Sequence, residues 1–162
     1  MSKLGGITNA KEDRLSNRRE YKTIKKAREL NMGKLIPFLL SNNAKAQAEF
    51  YAKSLAGEIV SVLTFGEATG MQDEMKDKVM HLSLTVAGGN SIYMSDAMEP
   101  VTHGTSIVLN IALESDAEAA QAFAKISAEG HVTIPFELQP YGMYQGEVTD
   151  KFGITWMITV EA

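Results

Sequence analysis

The chain has no cysteine, which excludes disulfides, zinc–thiolate sites and thiol nucleophiles. It has no apolar run near the ~20 residues needed to cross a bilayer, and no signal-peptide-like apolar stretch at its start. A soluble cytoplasmic protein with no membrane partner is the resulting expectation. Arginine is missing from Lys34 onward, since Arg14, Arg18, Arg19 and Arg28 are the only four. The planar fork that best holds phosphate or phosphonate oxygens is therefore absent from most of the chain, and a strongly anionic substrate is disfavoured. There is no glycine-rich phosphate loop, because Gly88-Gly89 reads as a hairpin turn. There is no Gly-x-Ser-x-Gly nucleophile elbow. The methionines are scattered, which suits adaptable packing rather than copper ligation.

What remains is enough for one compact domain: 162 residues, 44% of them hydrophobic. Charge is unevenly spread. Residues 1–33 hold nine Lys/Arg against four Asp/Glu, and the remainder seven against sixteen. Leu15, Tyr21, Ile24 and Leu30 are isolated among those charges. The segment reads as a basic arm, helical or disordered in water, or as a leader with Met32-Gly33-Lys34 as the start of the domain proper. No basic run exceeds two residues, so no nucleic-acid partner is expected.

From residue 34 to 162 one pattern occurs twice, at 34–97 and 105–162. The first unit opens with the apolar strand Leu35–Leu40. Ser41-Asn42-Asn43 caps a helix from Ala44 to Leu55, with Ala44, Ala48, Tyr51 and Leu55 on one face. Strands are expected at 58–65, 78–86 and 91–95. The loop from Glu67 to Asp77 is the longest insertion and a candidate lid. After the linker Met98–Gly104, the second unit opens with a strand over 106–113. Ser115 and Glu118 have capping-box spacing ahead of a helix to Ala128. Strands follow at 131–138, 144–149 and 154–160. The last two flank Asp150-Lys151-Phe152-Gly153, a turn in which Asp bonds the backbone two residues on and Gly takes positive φ. Ile154, Trp156, Ile158 and Val160 alternate with Thr155, Met157 and Thr159, so that strand has one core face.

Two βαβββ units in tandem resemble the vicinal oxygen chelate superfamily of glyoxalases, extradiol dioxygenases and bleomycin-resistance proteins. Ala48-Glu-Phe-Tyr51 with Gly57-Glu58 is similar to its opening helix. Phe65-Gly-Glu67, Ser91-Ile-Tyr-Met-Ser-Asp-Ala-Met98 and Gly146-Glu-Val-Thr-Asp-Lys-Phe-Gly-Ile-Thr-Trp-Met157 resemble its PhnB-like branch. The resemblance implies an α+β fold in which two curved mixed sheets surround a pocket, helices lie outside, and the protein is a homodimer. It also implies metal-ligand places near Ile36, His81, Val108 (Asn110 with a register shift) and Met157. Only His81 is a good ligand, and an open catalytic site needs about three.

Alternation then divides the strands between helix and pocket. Met80, Leu82, Leu84 and Val86 are expected against the helix, with His81, Ser83 and Thr85 towards the pocket. Ile107, Leu109, Ile111 and Leu113 are likewise set against Ser106, Val108, Asn110 and Ala112. The expected ligand-binding set is Phe38, Leu40, His81, Ser83, Tyr93, Asn110, Thr155 and Met157, apolar with sparse polar groups, as suits a small organic molecule. His103 and His131 are expected at the surface. If the protein is an enzyme, the candidate catalytic residues are His81, Glu67 and Glu147. Three readings follow. The first is a homodimer that binds a small organic ligand with no cofactor and no metal. The second is a divalent-metal-dependent lyase, isomerase or dioxygenase with His81 as a ligand. The third is a scaffold with a vestigial pocket.

Overall fold

The computed structural model describes residues 33–161. The basic arm expected at 1–33 lies, all but Gly33, outside the described residues. From Ile36 onward the chain forms one unit. Its elements in order are β1 (Phe38–Ser41), α1 (Ala44–Ser54), β2 (Glu58–Thr64), α2 (Phe65–Thr69), β3 (Val79–Val86) and β4 (Asn90–Asp96), then β5 (Val108–Leu113), α3 (Asp116–Ile126), β6 (His131–Leu138), β7 (Tyr144–Thr149) and β8 (Thr155–Val160). The expected α+β class and repeat are present: two four-stranded mixed sheets, ordered β1-β4-β3-β2 and β5-β8-β7-β6. In each, the opening strand runs parallel to the last and the other pairs are antiparallel.

Local chemistry fixes the element ends. The Asn43 side chain accepts from the Ala46 amide at 3.0 Å and so caps α1. Asp96, at the end of β4, accepts from the amides of Ala44 at 2.7 Å and Val79 at 2.8 Å, tying the starts of α1 and β3 together. At α3 the Ser115 hydroxyl accepts from the Glu118 amide at 3.3 Å and also donates to the Glu118 carboxylate at 3.1 Å. The complete capping box lies elsewhere, at Thr64 and Glu67, and starts α2 at Phe65, where the strand was expected to continue, so that the helix runs into the first residues of the expected lid loop. Both repeats leave their main helix through glycine. A Cβ on Gly57 would strike the Thr85 carbonyl oxygen, and one on Gly130 would lie 2.6 Å from that of Thr149.

The core lies between the sheets and the helices. Ala44, Ala48, Tyr51 and Leu55 are all buried, as their helical spacing requires. Leu82, Leu84 and Val86 face them, with Ile92 and Met94 from β4. Trp156 is buried at 1% exposure. Three expectations need correction. Leu35 is 99% exposed, and β1 starts only at Phe38. Ile107 is 74% exposed and precedes β5, so it does not pack under the helix. Met80 is exposed while Val79 is buried, because the β2–β3 register jumps from Leu63↔His81 to Thr64↔Val79. That one-residue bulge reverses the inward–outward phase ahead of His81.

Candidate functional site

The faces turned away from the helices carry most of the residues singled out by alternation. In the first sheet Phe38 pairs with Tyr93, which pairs with Ser83. The period-two rule puts His81 on the same face, and the rings confirm it. His81 and Tyr93 have centroids 4.8 Å apart, and Phe38 and His81 6.0 Å, both edge to face. The geometry is the favoured one for aromatic rings, with a positive edge against a negative face. All three are part-exposed, so the cluster offers flat apolar surface beside an imidazole, a phenol and the Ser83 hydroxyl.

In the second sheet the matching face presents Asn110 opposite Met157, which is opposite Glu147. Val108 lies opposite Thr155. The Thr159 hydroxyl donates to Asn110 Oδ1 at 3.3 Å, which orients that amide. Thr133 Oγ1 donates to Glu147 Oε1 at 2.7 Å. The Thr155 hydroxyl is shared with Thr149 at 3.0 Å. These groups are aligned to give a few directed hydrogen bonds on an otherwise apolar surface.

A cavity of about 350 Å³ joins the two sheets where β1 and β5 approach. Phe38, Leu40 and Thr155 line it, so three of the expected ligand-binding residues converge there. The linker supplies Val101, Thr102 and His103, which the sequence reading did not include. His103 is half-buried rather than a surface residue, and its ring lies against Gly153, whose φ is +88°. No local signal marks this role; only its place in the linker just before the second opening strand hints at it. His131 is exposed at the start of β6, as expected.

The three candidate catalytic groups are not brought together. Glu67 is exposed, and its carboxylate accepts from the Thr64 amide at 2.9 Å and the Thr64 hydroxyl at 3.1 Å, as an N-terminal cap of α2. Glu147 and His81 stand on different sheets. The metal that the fold implies finds no fitting donor set. The ligand-equivalent places carry Ile36, His81, Val108 and Met157, and among the described residues no three His, Asp or Glu side chains cluster. One donor cannot hold an open catalytic ion.

Beneath the second sheet lies a polar cluster that the sequence did not reveal. Asp150 is buried and accepts four hydrogen bonds. Oδ1 takes the Phe152 amide at 2.8 Å and the Ile154 amide at 3.0 Å. Oδ2 takes the Tyr51 hydroxyl at 2.7 Å and Trp156 Nε1 at 2.9 Å. Gln47 Nε2 donates to the same Tyr51 oxygen at 2.6 Å. Burial, with the Asp150 carboxylate as second cause, pushes the Tyr51 phenol far above its ordinary value, so it stays a neutral donor. The cluster fastens α1 of the first repeat to the β7–β8 turn of the second. Among the described residues no helix is long and apolar enough to cross a membrane.

The fold and sequence agree with known proteins. The chain is 28% identical over 140 residues to protein YjdN of Escherichia coli strain K12, covering 78% of this chain and 94% of that one. It resembles the crystal structure of PA1353 from Pseudomonas aeruginosa, with TM-score 0.70, 27% identity and coverage of 80% and 98%. A PhnB protein from Bacillus cereus superposes with TM-score 0.65 at 24% identity, covering 80% of this chain and all of that one. Glyoxalase and bleomycin-resistance proteins are among the other solved structures that share the fold. The match of residues 33–159 to the family described as 3-demethylubiquinone-9 3-methyltransferase makes this chain a member of that family, and its fold is the one shared by glyoxalase and bleomycin-resistance proteins.

Proposed function

We propose that the protein is a homodimer that binds a small organic molecule on its concave faces without a metal centre. The observation that carries this reading is the Phe38–His81–Tyr93 ring cluster beside the 350 Å³ cavity, in a domain whose donors do not gather around an ion. Rings give area, and burying it is worth roughly 25 cal/mol per Å². Ser83, Asn110 and Thr155 add orientation. The domain from Lys34 onward holds no arginine, so a flat neutral or weakly charged compound fits better than a phosphonate. The family's description names a demethylubiquinone, itself a flat ring compound, which agrees with this class.

Dimerisation is supported by what one copy leaves uncovered. Phe38, Leu40 and Leu63 are exposed on the face of the first sheet that carries His81. A second copy laid over this surface would remove it from water and narrow the site.

The test is a thermal-shift screen of ring compounds against multiply charged anions. Flat, weakly charged compounds are expected to stabilise the protein, with Tyr93→Ala and Asn110→Ala each weakening the hits by about tenfold, ~1.4 kcal/mol. Strong stabilisation by phosphonates, with none by ring compounds, would overturn the reading.

A further inference from the structure

Another cavity lies on the helical side, away from the ring cluster. It measures about 420 Å³ and is bounded by the end of α1, the β3–β4 turn, the end of β5 and one flank of α3. Its floor is apolar, built from Leu55, Ala87, Ile111, Leu113 and Ala122. Three carboxylates border it, Glu114, Glu118 and Glu161, against the single cation Lys125. Among the described residues the one ion pair is Lys151–Glu129, so Lys125 neutralises none of the three at close range.

The internal repeat shows what such a space accommodates. Ala122 is the seventh residue of α3, and Phe50 is the seventh of α1. Ala122 faces the β3–β4 turn at Ala87 and Gly88. Phe50 faces the corresponding β7–β8 turn, where Phe152 packs on it at 5.7 Å between centroids. Lys151 Nζ sits over both rings, 4.8 Å and 5.7 Å from their centroids, and bonds Glu129 at 3.0 Å. One half of the molecule therefore fills this place with an aromatic ring, an ammonium and a carboxylate. The other half keeps apolar walls, three carboxylates and the one ammonium of Lys125, with Ala122 at the helix position of Phe50 and small residues in the turn where Lys151 and Phe152 stand.

We propose that this helical-side cavity is a second binding site, for a small aryl-alkyl ammonium compound whose ring replaces the missing aromatic side chain and whose cation meets Glu114, Glu118 and Glu161. The ring would lie on Leu55 and Ala122. Charge complementarity sets the sign of the head group, since an organic anion would meet three carboxylates.

The test uses the full chain and phenethylammonium, with phenethyl alcohol and hydrocinnamate as neutral and anionic matches of similar shape. Amide NMR shifts are followed on titration. The expected shifts cluster at Ala56, Ala87, Gly88 and Leu113, and the ammonium binds at least about fivefold more tightly than the alcohol, an advantage that shrinks with added salt. Ala122→Phe, which supplies the missing ring, weakens binding at least about tenfold, because the ligand's place is taken. Glu114→Gln combined with Glu161→Gln removes the preference for the ammonium without altering the apolar floor, so the result does not depend on Ala122→Phe folding. Tyr93→Ala leaves this titration unchanged, which separates the site from the concave one. Shifts that map to β3 and β4 concave residues, equal binding of hydrocinnamate, or retained affinity in a folded Ala122→Phe protein would each overturn the proposal.

Discussion

The two repeats share a topology and helices of equal length, yet they close their cores by different chemistry. The first sheet meets its helix with aliphatic side chains: Leu82, Leu84, Val86, Ile92 and Met94. The second buries Val148 and Ile158, and also Trp156, whose ring meets Tyr51 of α1 and whose indole N–H must find an acceptor. Asp150 provides it and takes the Tyr51 hydroxyl from the other repeat. A buried carboxylate is tolerated here because each oxygen receives two donors, so the loss of water is offset by hydrogen bonds. The fold therefore constrains the position of the inward face more tightly than its polarity. The same contrast runs through the hairpins. The β3–β4 turn is made of small residues, while the β7–β8 turn packs Phe152 on Phe50 and Tyr51.

The contrast is most sharply broken at Asp150. Asp150→Ala leaves Tyr51, Trp156 and two amides without their acceptor in a buried place, and about 4 kcal/mol of stability should be lost in denaturant unfolding. In the aliphatic repeat Leu84→Ala should cost about 3 kcal/mol, through lost burial and a residual cavity. Equal or reversed costs would mean that the polar cluster does not hold the two repeats together.

Tyr51→Phe should cost about 1.5 kcal/mol at neutral pH, since it removes one donor to Asp150 and the acceptor of Gln47. It also has a pH signature. The folded phenol stays protonated well beyond 10.0, the value at which an unfolded tyrosine is half ionised. The unfolded state then binds fewer protons than the folded state, so stability falls as pH rises above about 10, by ~1.4 kcal/mol per pH unit for this group. The phenylalanine variant should lose that component of alkaline destabilisation. Identical pH profiles for the two proteins would show that the phenol is not protected from ionisation. The smallest effect is expected at Lys151. Lys151→Ala removes a partly exposed ion pair to Glu129 and two cation–ring contacts, for less than about 1 kcal/mol in total.

Local chemistry was legible in the sequence, and long-range chemistry was not. Asp150 was readable as a turn residue, and its Oδ1 does accept from Phe152 two positions on. Its other oxygen binds Tyr51, 99 positions away, and nothing local announces that. The period-two alternation found the faces bearing His81, Ser83, Asn110, Thr155 and Met157, because a helix on one side of a sheet enforces it. It failed at Met80, where a bulge shifts the phase, and at Ile107, where the strand has not yet begun. It also missed His103 and the linker wall of the cavity, whose place depends on how the two repeats close against each other.

The central claim is that the concave faces hold an organic molecule by rings and a few hydrogen bonds rather than through a metal. Elemental analysis of protein purified without chelators tests it most directly. The account predicts no stoichiometric nickel, zinc, manganese or iron, and a content unchanged by His81→Ala. About one such ion per chain, lost in His81→Ala, would contradict it.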